Sequence, residues 1–202
     1  MALIKSALEL ALEKTKDLTL DNAALEANKA KTEGRKTGGA FLASPEDTDI
    51  DAAIKAANPE HREIFRKAIF EVLVAQIQLP SGIFDPDKFK ILGKGLGSLA
   101  GMGNDKKVVS MVRNISNFVA KYLEEVKRVE QTIRTQWAPK LKEKERQLAA
   151  RMGQDVRLDP MSDPEFSAYY KQNFENLRAT YSQALEGAKV DLASLCGFEV
   201  EA

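Results

Sequence analysis

The strongest ligand-binding pattern in the chain is a glycine-rich stretch. Residues 93–100 read Gly-Lys-Gly-Leu-Gly-Ser-Leu-Ala, and their last six fit the G-x-G-x-x-A phosphate turn of dinucleotide-binding folds. Glycines in such a turn let backbone N–H groups approach a phosphate at a helix N-terminus. That turn belongs to alternating strands and helices, which this sequence does not show. Gly93, Gly95 and Gly97 are therefore candidates for nucleotide binding, while the context favours a tight connection between packed helices.

Single residues of reactive type are few. His61 stands between Glu60 and Arg62 at a helix start, and acid–base catalysis would need a partner that is not nearby in sequence. Cys196 has apolar and acidic neighbours, whereas a reactive thiol needs a positive local field. One histidine and one cysteine also exclude the common zinc frameworks, which need about four N/S ligands. We predict no catalytic residue, no metal and no cofactor.

Three further clusters each allow a binding role and a structural role. A basic run could contact nucleic acid, but interleaved Glu143 and Glu145 favour a solvated face beside the acidic final helix. An aromatic stripe could line a pocket, yet its helical spacing favours core. Asp47, Asp49 and Asp51 alternate without the Gly and Glu of an EF-hand loop. The basic run comprises Lys140, Lys142, Lys144, Arg146 and Arg151, and the aromatic stripe comprises Phe166, Tyr169, Tyr170, Phe174 and Tyr181.

The composition indicates a water-soluble, helix-rich protein. Of the 202 residues, 44% are hydrophobic and 30% are charged, and Lys+Arg and Asp+Glu both number 30. This balance gives no bulk electrostatic reason to bind nucleic acid or an anionic membrane. No apolar run approaches the roughly 18 residues of a membrane span. Glu9 and Glu13 interrupt the first apolar stretch, which is unlike a signal peptide, so we predict a cytoplasmic protein.

Two long amphipathic helices dominate the predicted fold. The first spans about 105–152, where apolar residues follow a 4-3-4-3 spacing that requires a partner surface; Pro139 predicts a kink near Trp137. The second follows Asp163 and ends near Gly197, and the short connection predicts an antiparallel, coiled-coil-like hairpin. Residues 105–152 carry 12 basic and 6 acidic side chains, against 4 and 9 in 153–202, which supports the pairing. The first stripe comprises Val108, Val112, Ile115, Val119, Tyr122, Val126, Val129 and Ile133.

The remainder of the chain is predicted to divide into shorter elements. Residues 1–20 form an amphipathic helix, 21–43 a flexible connector containing Gly38-Gly39, and 44–202 a helical domain. Within that domain, helices begin near Ser44-Pro45 and near Asn58-Pro59, and the second of these is predicted to be the most buried. The apolar face of the N-terminal helix gives candidate partner-binding residues Ile4, Leu8, Ala11 and Leu12.

The opening residues carry a resemblance. Residues 4–15 read Ile-Lys-Ser-Ala-Leu-Glu-Leu-Ala-Leu-Glu-Lys-Thr, which resembles the start of a family of uncharacterised bacterial proteins of about 200 residues. The resemblance implies a bacterial cytoplasmic protein. It brings no activity, substrate or catalytic residue.

Taken together, the patterns predict an all-α protein with a non-enzymatic interaction or scaffold role and self-association into a homo-oligomer. The sequence names no partner beyond a protein or a second copy of itself, and it gives no sign of a membrane partner. Two alternatives remain open. One is small-molecule or nucleotide binding at residues 93–103, and the other is nucleic-acid binding by the basic half of the long helix.

Overall fold

The regular secondary structure in the described part of the chain is helical. A computed structural model describes residues 7–101 and 103–199, with side chains from residue 22 onward. The fold is all-α, as the sequence predicted, and no helix within these ranges has the length and apolar character needed to cross a membrane. The helices are α1 (Ala7–Ala43), α2 (Ile50–Ala56), α3 (Arg62–Val74), α4 (Pro86–Leu99), α5 (Asp105–Met152) and α6 (Pro164–Leu195), with 3-10 turns at Pro59–His61 and Pro160–Ser162.

The chain forms two compact units. The first unit comprises Met1–Ile77, Asp87–Val112 and Leu192–Ala202, and the second unit comprises Gln78–Pro86 and Arg113–Asp191. The long helices α5 and α6 each contribute residues to both. The domain boundaries predicted from the sequence, after residues 20 and 43, stay a prediction.

Residues 22–43 are the second half of α1, where the sequence predicted a flexible connector. Gly34 and Gly38 lie one turn apart and face α3. A Cβ at Gly34 would lie 2.4 Å from the carbonyl oxygen of Phe65, and one at Gly38 would lie 3.0 Å from the Cβ of Val72. The glycines therefore let two helix backbones approach closely. The segment is otherwise rich in the helix formers Ala, Lys and Glu, and packing on α3 offsets the low helix propensity of its glycines.

The glycine-rich stretch lies inside α4, where the sequence predicted mostly a compact connection. A Cβ at Gly95 would lie 2.6 Å from the ring of Phe41 and 2.9 Å from the side chain of Leu73. Phe41 and Leu73 are 2% and 0% exposed, so Gly95 makes room for two core side chains. Glycine disfavours an isolated helix by about 1 kcal/mol per residue, and burial of the neighbouring apolar groups offsets that cost.

Of the two helix starts that capping residues predicted in the first unit, one is correct and the other is displaced. Asn58 caps the turn before α3 by accepting a hydrogen bond from the N–H of Glu60 at 3.1 Å, as its sequence signature predicted. The helix predicted from Ser44-Pro45 instead begins at Ile50, after Asp49 accepts from the N–H of Ala52. The predicted burial of α3 is confirmed for Phe65, Ala68, Ile69, Phe70 and Leu73.

Arg66 of α3 binds two helix ends in the first unit. Its Nη2 donates to the carbonyl oxygen of Leu99 at 2.6 Å and to that of Cys196 at 3.2 Å. These carbonyls end α4 and follow α6, where main-chain oxygens have no partner within their own helix. The guanidinium also lies 5.3 Å from the ring centroid of Phe198. Gly197 has φ +80° and lets the N–H of Phe198 close the end of α6, which confirms the predicted C-terminal cap.

An aromatic cluster occupies the core of the second unit. The rings of Trp137 and Phe166 meet edge to face with centroids 5.8 Å apart, and those of Tyr122 and Tyr181 lie 5.2 Å apart. These contacts pair α5 with α6 in opposite chain directions. They are compatible with the predicted antiparallel hairpin. The hairpin as a whole, its coiled-coil geometry and the kink at Pro139 stay predictions, although α5 does continue through that proline.

The apolar stripe predicted on α5 coincides with the face of this helix that is shielded from solvent. Val126 and Val129 are half-buried, and every other member of the stripe is buried. The 4-3-4-3 spacing therefore predicted the covered face of this helix correctly. The buried members are Val108, Val112, Ile115, Val119, Tyr122 and Ile133.

The turn between α5 and α6 is held by charged side chains. Asp163, 7% exposed, caps α6 by accepting from the N–H groups of Glu165 and Phe166, each at 3.0 Å. Its other oxygen accepts from Lys144 Nζ at 2.6 Å. The hydrogen bond from Lys144, together with that from the N–H of Phe166, lowers the pKa of the Asp163 carboxyl. This contact joins the basic run of α5 to the acidic start of α6, as the charge pattern predicted.

Replacing Asp163 by asparagine is expected to lower the stability of the protein at neutral pH. The stability of the variant should also change less than that of wild type as the pH falls. The folded pKa of Asp163 lies below its unfolded value of about 3.9, so its ionised form contributes stability above that pH. The contribution is lost as pH falls through the folded pKa. The melting temperatures of wild type and Asp163→Asn should therefore converge as the pH is lowered from about 4. A constant difference over that fall in pH would contradict the assignment.

Candidate functional site

The residues of reactive type have structural surroundings. Cys196 is 1% exposed, and burial raises the pKa of its thiol to about 11, which confirms the buried interpretation over the reactive one. His61 is half-buried and ends the 3-10 turn that precedes α3. Among the residues whose side chains are described, no group of three His, Cys, Asp or Glu side chains is arranged to hold a metal ion. Neither Cys196 nor His61 therefore provides a candidate catalytic or metal site.

The glycine candidates for a phosphate turn lie in the interior of α4. Gly93, Gly95 and Gly97 follow the helix start at Pro86 by more than one turn. At these positions each backbone N–H donates within the helix, so it is not directed at a ligand. A Cβ at Gly93 would contact Val112, and one at Gly95 would clash with Phe41. The geometry is that of glycines in helix packing, and nucleotide binding here stays a prediction without support from the backbone.

An acidic cleft in the first unit is explained by local contacts. It has a volume of about 330 Å³. Asp49 caps α2, and Asp51 accepts a hydrogen bond from the hydroxyl of Ser98 at 3.2 Å. Lys94 lies 3.9 Å from Glu46. These contacts account for Asp49, Asp51 and Lys94 without a ligand.

The second unit carries an apolar groove, which is the candidate site. The groove has a volume of about 510 Å³, within the range of about 300–1,000 Å³ that small-ligand sites occupy. The rings of Tyr170 and Phe174 are stacked there with centroids 4.3 Å apart. Apolar groups therefore dominate its interior. The lining residues are Pro80, Ser81, Tyr122, Leu123, Val126, Met161, Ser167, Tyr170, Lys171, Phe174, Glu175 and Arg178.

The charged side chains that line this groove all lie on α6. Lys171 lies 3.7 Å from Glu175, one helical turn away on α6, and this ion pair is largely solvated. Arg178 is exposed and has no ion pair or hydrogen bond with any part of the chain that the structure describes. Its guanidinium is thus available to a carboxylate or phosphate on a bound molecule, since it offers five N–H donors in a planar fork.

Two features of the lining suit an apolar partner. Burial raises the pKa of the Tyr170 hydroxyl, so this group stays neutral near pH 7. Met161 is 45% exposed although its side chain is apolar, and methionine adapts its shape to different partners. The groove can therefore cover an apolar segment while Arg178 contacts an anionic group beside it.

The aromatic stripe of the sequence divides between the two roles considered for it. Phe166 is fully buried, as expected of core. Tyr170 and Phe174 pack against the same core and also line the groove. Tyr169 is 39% exposed with its ring 5.7 Å from that of Trp137. The contributions of Met161 and Arg178 were missed. A lone exposed methionine and an arginine within a helix have no signal in sequence spacing.

The basic run of α5 is largely engaged or solvated. Lys144 bonds to Asp163 and Glu165, and Arg146 lies 3.3 Å from Glu143. Lys140 lies 4.4 Å from the ring centroid of Trp137. These contacts match the solvated face predicted from the interleaved charges, and nucleic-acid binding stays a prediction.

The N-terminal partner-binding candidates lie at the limit of the described structure. Ile4 is outside the described residues. Leu8, Ala11 and Leu12 belong to α1 by their backbone, and their side chains are not described. Their role as a docking face stays a prediction.

Comparison with known proteins gives a family and no function. Residues 51–194 match the model of a family of unknown function, DUF6657. The match supports the resemblance to an uncharacterised family, although the opening residues on which that resemblance was based lie outside it. No curated protein and no solved structure matches the chain.

Proposed function

The chain belongs to the DUF6657 family of unknown function, and we propose from the geometry of the chain that it is a non-enzymatic interaction protein. The apolar groove of the second unit is the proposed binding surface. Its ligand is a protein segment that presents apolar side chains beside a carboxylate. We also propose that the protein acts in the cytoplasm and that it self-associates.

The observation that supports this proposal most strongly is an apolar groove with an unpaired arginine at its edge. Exposed apolar surface in water is unfavourable by about 25 cal/mol per Å², so a partner that covers Tyr170, Phe174 and Met161 gains free energy. Aromatic residues, methionine and arginine are also the types enriched where proteins bind each other. A carboxylate that reaches Arg178 would set the orientation of the partner.

The alternatives have weaker support. Nucleotide binding needs backbone N–H groups that the helical glycines of α4 have already used. Nucleic-acid binding needs an unpaired basic surface, whereas Lys144 and Arg146 contact carboxylates. The groove is therefore the site where an interaction is tested first.

The proposal predicts that partner capture depends on the groove. Wild type and the double variant Met161→Glu/Arg178→Glu would each be used to capture proteins from a lysate of the native host. Both positions are exposed, so the fold should be retained, which circular dichroism checks. Quantitative mass spectrometry should show at least a tenfold loss of the main captured protein with the double variant.

Met152→Glu is the matched control, because Met152 is also an exposed methionine of the second unit and does not line the groove. It should capture the same protein as wild type does. Equal capture by wild type and the double variant would contradict a groove-based role.

A further inference from the structure

An exposed apolar tip borders the groove in the second unit. Ile83 is 96% exposed, the highest value among the large apolar residues whose side chains are described. It lies in the non-helical segment 81–85 that precedes α4. Pro80 and Ser81, at the base of this segment, are part of the groove wall. The same unit thus presents an apolar knob and an apolar groove next to each other.

The tip does not fill the groove of its own chain. Ile83 is separated from the wall residue Ser81 by Gly82 alone, and its side chain stays in solvent. A fold-back of so short a segment would displace the wall that its own base forms. Any occupant of the groove is therefore a segment of another molecule.

Charge favours a second copy of the tip as that occupant. Asp85 follows Ile83 by two residues, so each tip carries a carboxylate close to its apolar side chain. The groove offers Arg178 without an ion partner in the described residues, whereas Lys171, two helical turns earlier on α6, is paired with Glu175. An apolar group beside a carboxylate is the chemistry that the groove was proposed to bind.

We infer that two copies of this chain form a twofold dimer in which the Ile83 tip of each copy inserts into the groove of the other. This inference rests on the proposed function and names the partner of that site. A knob and a groove that lie next to each other suit a twofold axis, because the same rotation makes both contacts at once and closes the assembly. The dimer is expected to be of moderate affinity, since a tip in a groove is smaller than a standard interface of about 1,600 Å².

Sedimentation velocity on the full chain over a range of concentrations tests the dimer. Wild type should shift from monomer to dimer as concentration rises. Ile83→Lys places a positive charge against Arg178 and removes the apolar knob, and Met161→Glu/Arg178→Glu impairs the groove and repels Asp85. Each contact occurs twice, so each variant should weaken dimerisation by at least tenfold, whereas Met152→Glu should not change it.

Mixing the two impaired proteins tests the pairing itself. The hetero-pair retains one intact contact, between the tip of the groove variant and the groove of the tip variant. A 1:1 mixture should therefore form more dimer than either protein alone at the same total concentration. No gain on mixing, while wild type still dimerises, would overturn the tip-in-groove pairing.

Dimerisation and partner capture separate the inference from the proposed function. A wild type that stays monomeric at every concentration overturns the dimer. If the groove double variant then still loses its captured partner from lysate, the groove binds another protein, and the proposed function stands. If capture is also unchanged, both fall.

Discussion

Replacing Gly34 by alanine is expected to lower the free energy of unfolding by about 2 kcal/mol. The new Cβ would lie 2.4 Å from the carbonyl oxygen of Phe65 and 2.8 Å from the Cβ of Ala68. The first of these neighbours is backbone, so relief requires α1 and α3 to separate along their contact. Overpacking of this kind costs about 1–3 kcal/mol or more, which outweighs the gain of about 1 kcal/mol in helix propensity.

Gly39→Ala is the control, because a Cβ there has nothing within 4 Å and lies in the same helix. That variant should be neutral or more stable by up to about 1 kcal/mol. Thermal unfolding followed by circular dichroism would measure both, at about 2–4 °C per kcal/mol for a chain of this size. If Gly34→Ala melts at or above the temperature of Gly39→Ala, the close approach of α1 and α3 is wrong.

Replacing Arg66 by methionine is expected to cost about 3 kcal/mol of stability. Methionine keeps the apolar stem and removes the donors that reach the carbonyls of Leu99 and Cys196. A hydrogen bond to a charged group contributes about 1.5–3 kcal/mol, and a buried carbonyl left without a donor adds a desolvation penalty. Arg66→Lys should be intermediate, because one ammonium cannot match the two directions of a guanidinium.

Arg35→Met supplies the comparison for Arg66. The Arg35 side chain is 57% exposed and makes one ion pair, with Glu71 at 3.6 Å, so its loss should change stability by less than about 1 kcal/mol. Urea unfolding of both variants gives the two free energies. Equal effects would mean that Arg66 does not hold the helix ends.

Local patterns in the sequence predicted much of the fold. The spacing of the stripe on α5 gave its covered face, and the Asx-Pro-Glu signatures at Asn58 and Asp163 gave two correct helix starts. Helical periodicity and capping act over a few residues, so one chain segment carries the whole signal.

Features that depend on distant residues were not predictable in this way. Gly34 and Gly38 resemble helix breakers until α3 lies against them, and Gly95 resembles a loop glycine until Phe41 occupies the space it leaves. In each case the free energy that keeps the segment helical comes from a neighbour elsewhere in the sequence.

The groove was missed for the same reason. It combines segment 80–81, the half-buried edge of α5, the turn at Met161 and one face of α6. The aromatic spacing on α6 indicated either core or pocket. Only the packed arrangement shows that Phe166 is core and that Phe174, which packs against this core, also lines the groove.

The most direct test of the interaction role is a site-specific crosslink from the groove. A photoreactive amino acid would replace Met161 in one preparation and Met152 in a second, and each would be irradiated in a lysate of the native host. We expect a protein adduct of defined mass from position 161, either with a second copy of the chain or with another protein, and none from position 152. No adduct from position 161, or the same adducts from both positions, would contradict the interaction role.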